Sequence, residues 1–311
     1  MRVLVTGATG FVGQRLVPVL IEAGHDVTAL VRDADRYDAP SEVRVVEGDL
    51  LEPGTIAPAF RDIDTAYYLV HSMQAGADFE ERDRTAAHNF ADQATAADVE
   101  RVIYLGGLGE TGDQLSRHLS SRREVEAILK DWGPPVTTLR AAIIIGAGSV
   151  SFEMIRQLAD RLPVMITPQW VRTDCQPIAI SDVIAYLVGV LDAPATAGQT
   201  YEIGGPEVLS YESLLRRTAA ALGHRLYILR VPVLSPSLST YWVELITDVP
   251  ASVARPLILG LKNPVVVTDD SIRAEIDLEL TSIDTAIERA LAADGHIERS
   301  VPADTEREAA G

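Results

Sequence analysis

The stretch "VLVTGATGFVGQRLVPVLIEAGHDVTALVR", residues Val3–Arg32, decides the fold. Its opening run of valine and leucine ends at Thr6, and Gly7, Gly10 and Gly13 follow at even spacing. From Val12 to Glu22 the apolar side chains recur at helical intervals, and "DVTALVR" then has the β-branched character of a second strand. A spaced glycine triplet is weak evidence by itself. Between a buried strand and an amphipathic helix it becomes strong, because each glycine has a separate task there. Gly7 permits the tight turn, Gly10 lets backbone approach a pyrophosphate, and Gly13 lets the helix pack closely on the strand. The helix N-terminus adds unpaired N–H groups and partial positive charge for phosphate oxygens. The stretch predicts a dinucleotide-binding loop with contacts from Gly7, Thr9, Gly10, Phe11, Val12 and Gly13.

Working outward, the apolar runs "VRVVEGDL", "TAYYLVH", "RVIYLGG" and "VTTLRAAIIIG" alternate with the helical patterns "FEERDRTAAHNFADQATAAD" and "SSRREVEAILKDW". Near-continuous Val, Ile and Leu runs imply strands buried on both faces, and their alternation with helices implies an α/β fold with a doubly wound parallel sheet. After Gly146 the rhythm becomes irregular, which predicts a Rossmann core over residues 1–146 and a smaller C-terminal α/β lobe over 147–295. Segments within about 176–204 are expected to return to the core, and the polar stretch 296–311 reads as a flexible tail.

The end of the second strand chooses between dinucleotides. A carboxylate there accepts from the ribose 2′-hydroxyl, whereas an arginine accommodates a 2′-phosphate. The chain places Arg32 at that point, with Asp33 just beyond it, which favours NADP(H) over NAD(H); with Arg32 turned to solvent, Asp33 would take the hydroxyl instead. Asp49 in "EGDL", followed by Leu50, is placed either to meet the adenine or to cap a turn. Val70 and His71, with Ser72 after them, end the fourth strand beneath the expected adenosine ribose or nicotinamide. His71 is either a ligand contact or a satisfied strand-end histidine.

Composition narrows the rest. The chain has 311 residues, 47% of them hydrophobic, and a formal net charge of -18, which repels nucleic-acid phosphates. Lys130 and Lys262 are its only lysines, an acidic balance expected of a salt-adapted protein. No apolar run approaches the roughly 18 residues of a spanning helix. The opening "MRVLVTG" lacks the layout of a signal peptide, so a cytoplasmic protein is expected. Cys175 stands alone, which excludes an internal disulfide, and no metal-ligand spacing stands out.

The glycine spacing, "EGDL", "YYLVHS", "QPIAISDV" and "TYEIGGPEVLSYESLL" together resemble the extended and atypical short-chain dehydrogenase/reductases, in particular the NmrA-like and complex I accessory-subunit-like NAD(P)H-binding proteins. The resemblance covers about residues 1–225 and implies a seven-stranded Rossmann sheet with a small lobe closing over the nicotinamide. It also implies a serine or threonine at the end of the fifth strand and a Tyr-x-x-x-Lys on the next helix. This chain departs from that set at each position: Gly106 or Gly107 replaces the serine, His118 the tyrosine and Arg122 the lysine. Glycine donates no side-chain hydrogen bond, and arginine can hold a ribose but cannot shuttle a proton. His118 is left as the candidate acid or base, and Arg122 as the candidate ribose contact.

In "HLSSRREVE" and beyond, His118, Ser121 or Arg122, Val125, Ile128, Leu129 and Trp132 form one helical stripe expected to face the sheet, with Arg123, Glu124 and Glu126 solvated. Met154, Trp170, Tyr241 and Trp242 are read as lining an apolar substrate chamber or as plain core. The expected function is an NADP(H)-dependent oxidoreductase for a small, apolar carbonyl, enone or quinone-like substrate. The alternative is a non-catalytic NADP(H)-binding sensor or assembly protein. Sugar-nucleotide epimerases also depend on the tyrosine missing here, and the sequence is silent on oligomeric state.

Overall fold

Val3, Leu4 and Val5 have no exposed side-chain surface, as a central strand covered on both faces requires. In the computed structural model, which describes residues 1–71, 78–109, 117–167, 169–230, 247–248 and 263–296, this strand is β1 (Arg2–Thr6). It lies in a seven-stranded sheet with β2 (Asp26–Val31), β3 (Arg44–Glu47), β4 (Thr65–Tyr68), β5 (Arg101–Gly107), β6 (Val136–Ala141) and β11 (Thr200–Ile203). The order is β11-β6-β5-β4-β1-β2-β3, and every pairing is parallel. Strand order therefore reverses between β1 and β4. In open parallel sheets the crevice beyond the carboxyl ends at such a point is where ligands bind.

Helices α1 (Gly13–Glu22), α2 (Pro53–Ile56), α3 (Phe79–Ala96), α4 (Arg117–Trp132) and α6 (Ile180–Asp192) cover the sheet. α1 buries Gly13, Leu16, Val17 and Leu20, one stripe of a 3.6-residue period. Burying a leucine or valine of this kind stabilises by about 1.5–3 kcal/mol. One core lies under α1 and α6, and a second, built on Phe60, Phe90, Tyr68 and Leu129, lies under α3 and α4. Arg101 and Tyr67 fasten α6: the guanidinium donates to the Leu191 and Ala193 carbonyls at the end of α6, and the Tyr67 hydroxyl donates to Leu187 O at 2.7 Å.

A third core belongs to the C-terminal lobe, formed by α5 (Val150–Arg161), α7 (Tyr211–Ala221) and α9 (Ile283–Ala293). Short strand pairs edge it: β7 (Ile144–Ile145) with β10 (Ile178–Ala179), β8 (Val164–Thr167) with β13 (Tyr227–Arg230), and β9 (Asp174–Cys175) with β12 (Leu209–Ser210). A single helical turn, α8 (Ile272–Glu275), packs back on the sheet side. Met154 is 4% exposed inside this third core, so it is packing. Tyr241 and Trp242, and the Trp170 side chain, lie outside the described residues. No helix among the described residues is long and apolar enough to cross a membrane.

Candidate functional site at the sheet switch point

The mouth of the crevice is pinned by Thr6, whose hydroxyl donates to Tyr67 O at 2.9 Å and accepts from Leu69 N at 3.4 Å. Gly7 turns with φ +74, a conformation that side chains resist, and a Cβ there would lie 2.8 Å from Leu69 O. A Cβ on Gly13 would stand 2.2 Å from Gly7 O, so only glycine lets α1 approach the loop this closely. Gly10 is different: its amide closes the turn on Gly7 O at 2.9 Å, and a Cβ would meet only that same carbonyl, at 3.2 Å. The loop is a bare backbone cradle at the N-terminus of a ten-residue helix, the shape and polarity that a diphosphate fits. Thr9, Phe11 and Val12 complete it; the Gln14 side chain donates to Thr9 O at 2.9 Å.

Arg32 and Asp33 follow β2 at its carboxyl end, and both are exposed. Among the described residues no carboxylate pairs with Arg32; Glu47 instead accepts from the Ala34 amide at 3.0 Å. Asp49 shows the cap: one carboxylate oxygen accepts from Leu51 N at 2.9 Å, and its own amide donates to the Thr55 hydroxyl at 3.0 Å. Leu50 turns its side chain into the core under α3, and its carbonyl accepts from the Asn89 amide group at 2.7 Å.

Val70 and His71 lie just past β4, and Ser72 lies outside the described residues. His71 Nδ1 stands 3.5 Å from Asp83 Oδ2, and the Ser121 hydroxyl donates to the same oxygen at 3.1 Å. Asp83 and Ser121 are 4% and 2% exposed. This buried trio ties the end of β4 to α3 and α4, and sequence reasoning missed its centre. The signal was available: Asp83 sits on the Phe79, Ala86, Ala87, Phe90 stripe of α3, a lone carboxylate among apolar positions. Burial, with the Arg122 guanidinium next, pushes the His71 imidazole down to about 4 against the pull of Asp83, so it is neutral near pH 7. Arg122 donates to Leu105 O at 3.1 Å, and the buried Tyr104 hydroxyl donates to Arg122 O at 3.1 Å. That seats the guanidinium at the carboxyl end of β5, beside His71.

His118 is the second residue of α4; its side chain lies outside the described residues. Further along α4 the stripe is correct for Val125, Ile128 and Leu129, which are buried, but the expectations for three residues need correction. Trp132 is 60% exposed and stands edge-on to His88, because it is the last residue of α4. Glu126 is 4% exposed, not solvated: both its oxygens accept from Arg140 of β6, at 3.0 and 2.8 Å, and Lys130 donates at 2.9 Å. Burial pushes its carboxyl upward, but the bonds from Arg140 and Lys130 outweigh this and hold it below the usual range. Arg123 is likewise drawn inward, donating to Gly109 O at 3.0 Å. Of the two glycines expected at the serine position, a Cβ on Gly107 would lie 3.2 Å from Leu119 and 3.4 Å from the Arg122 stem, and one on Gly106 would lie 3.1 Å from the Tyr104 ring. A side chain at Gly107 would need these two α4 side chains to give by a few tenths of an ångström.

Comparison with known proteins agrees with this geometry. Residues 7–144 match a family model described as NAD(P)H-binding. Over 227 residues the chain is 26% identical to mitochondrial subunit 9 of the NADH dehydrogenase [ubiquinone] 1 alpha subcomplex from Dictyostelium discoideum, a match covering 68% of this chain and 61% of that protein. The chain thus spans about three fifths of that relative's length. A ceramide reductase from Caulobacter vibrioides is 26% identical over 235 residues, covering 74% of this chain and 73% of the relative. Among solved structures, a triphenylmethane reductase from Citrobacter sp. superposes with a TM-score of 0.76 at 18% identity, over 94% of this chain and 99% of that one, a likeness of fold.

Proposed function

We propose that the protein, whose residues 7–144 match a family model described as NAD(P)H-binding, is an NADP(H)-dependent oxidoreductase of the short-chain dehydrogenase/reductase type, acting on a small, apolar carbonyl, enone or quinone-like compound. The observation that supports it most is the loop at the switch point, where Gly7 and Gly13 leave no room for a Cβ and Gly10 leaves backbone bare. Arg32, exposed at the end of β2 with no carboxylate partner among the described residues, supports the 2′-phosphate form. A bound nicotinamide supplies or takes the hydride. Arg122 orients its ribose, and His118 or a water supplies the proton.

One observation favours a second reading, a non-catalytic NADP(H)-binding sensor or assembly protein. Gly106 and Gly107, the two candidates for the family's hydroxyl position, carry no side chain, Leu119 and Arg122 stand close to Gly107, and one relative named above is a subunit of a larger complex. Following NADPH absorbance against a panel of aldehydes, enones and quinones separates the two. Turnover on at least one class, reduced about 100-fold or more in His118→Ala, is the expected result, since general acid–base groups contribute about 10²–10⁴-fold. Tight NADPH binding with no turnover on any class would assign the second reading.

A further inference from the structure

Arg15, in the first turn of α1, makes contacts that a surface helix residue has no need to make. One guanidinium nitrogen donates to Phe11 O at 2.7 Å and the other to Ala147 O at 2.6 Å, 132 residues away in sequence. The guanidinium carbon also stacks over the Phe11 ring, 4.5 Å from its centroid. The edge of that ring reaches Gly146, where a Cβ would lie 3.0 Å from Phe11 Cζ and 2.7 Å from Ile180 Cγ2. Burial draws the Arg15 side chain toward its neutral form, and Asp294 at the end of α9 opposes this. The loop is thus joined to the first residues of the C-terminal lobe through one cation and one ring.

The backbone makes the link consequential. α1 does not use the Phe11 carbonyl: the Arg15 amide donates to Val12 O at 3.0 Å and the Gln14 amide to Gly10 O at 3.0 Å. Phe11 O is fixed by the guanidinium instead. In a planar trans peptide the carbonyl of one residue and the N–H of the next point in opposite directions, so fixing Phe11 O fixes the direction of the Val12 N–H. That N–H is one of the donors expected to meet the diphosphate.

We propose that Arg15 is a positioning residue that couples dinucleotide binding in the glycine loop to closure of the C-terminal lobe at Gly146 and Ala147; this rests on the dinucleotide reading above. Diphosphate binding holds the Val12 peptide in the orientation that Arg15 already favours, and the same guanidinium then holds Ala147. Lobe and loop tighten together. Lysine keeps the charge but lacks the fork that reaches two carbonyls, so it restores only part of the effect.

Hydrogen exchange read with and without NADPH tests this in the wild type, Arg15→Met and Arg15→Lys. In the wild type, NADPH is expected to slow exchange both at residues 8–14 and at 146–150. In Arg15→Met, slowing at 8–14 remains while that at 146–150 is lost, and NADPH and NADH affinities fall together by about tenfold; Arg15→Lys lies between. Wild-type slowing confined to 8–14, or unchanged coupling in a folded Arg15→Met, overturns the coupling and leaves the dinucleotide reading standing. Absence of any NADPH effect in the wild type removes both. The wild-type arm decides even if Arg15→Met does not fold.

Discussion

His71 shows how one side chain reports on its surroundings through pH. Burial beside Arg122 holds its imidazole at about 4, whereas in an unfolded chain it titrates near 6.5. Its folded value is depressed, so between these two values the unfolded state binds the extra proton. The stability that the neutral ring contributes is therefore complete above about pH 6.5 and is lost as pH falls toward 4. With the His71 side chain still 20% exposed, about 2 kcal/mol is expected from this group over that range. Urea midpoints at a series of pH values should show the wild type losing that much more than His71→Gln between pH 7 and 4.5. Parallel curves would show that burial and Arg122 do not depress the ring's pKa in the folded state. The tautomer at neutral pH, with Nδ1–H toward Asp83, could not be read from "YYLVHS", because the acid lies on another helix.

At the scale of elements, α4 separates what local spacing can and cannot tell. Periodicity placed Val125, Ile128 and Leu129 against the sheet because the 3.6-residue repeat and the flat surface beneath it are both regular. It failed at Trp132, the last residue of the helix. It also failed at Glu126, whose neighbours in sequence look like those of a solvated acid. The deciding partner is Arg140 on β6, supplied by tertiary packing alone. Removing one member of a buried pair leaves the other charge uncompensated, at about 3–5 kcal/mol. Arg140 keeps 21% exposure, so Glu126→Ala should destabilise by about 3 kcal/mol, while Glu124→Ala, whose ion pair with Arg84 is open to solvent, should cost under about 1 kcal/mol. Equal losses in denaturant titrations would mean that the Glu126 network is wet. α1 was legible in finer detail because its constraint is local: a Cβ on Gly13 would clash with backbone only five and six residues away, and one on Gly7 with backbone across one strand.

For the molecule as a whole, the doubly wound sheet was readable from the alternation of apolar runs and helices, whereas the order of its strands is given by the structure; the right-handed crossover rule narrows the possible orders without choosing one. The C-terminal lobe was less readable, because its strands are two to four residues long and pair across large sequence gaps. Besides its apolar core, single polar links fasten it. Asp182, at the start of α6, accepts from the Thr281 amide and hydroxyl, both at 2.7 Å, and so fastens the approach to α9 onto the Rossmann core. Gln176 spans Gly205 O and the Val267 amide in the same way. Such links involve single residues with no periodicity. The candidate site follows the same division: the glycine loop and Arg32 could be picked out from the first 32 residues, whereas Asp83, Ser121 and the Arg15 bridge depend on distant parts of the chain.

Titration calorimetry of the wild type and Arg32→Ala with NADPH and NADH is the most direct test of a dinucleotide site that prefers the 2′-phosphate. A charge-assisted hydrogen bond contributes about 1.5–3 kcal/mol, so Arg32→Ala should weaken NADPH about 10- to 100-fold and leave NADH nearly unchanged. Equal losses for both would contradict the role given to Arg32, and no heat from any nicotinamide nucleotide with folded protein would contradict the site itself.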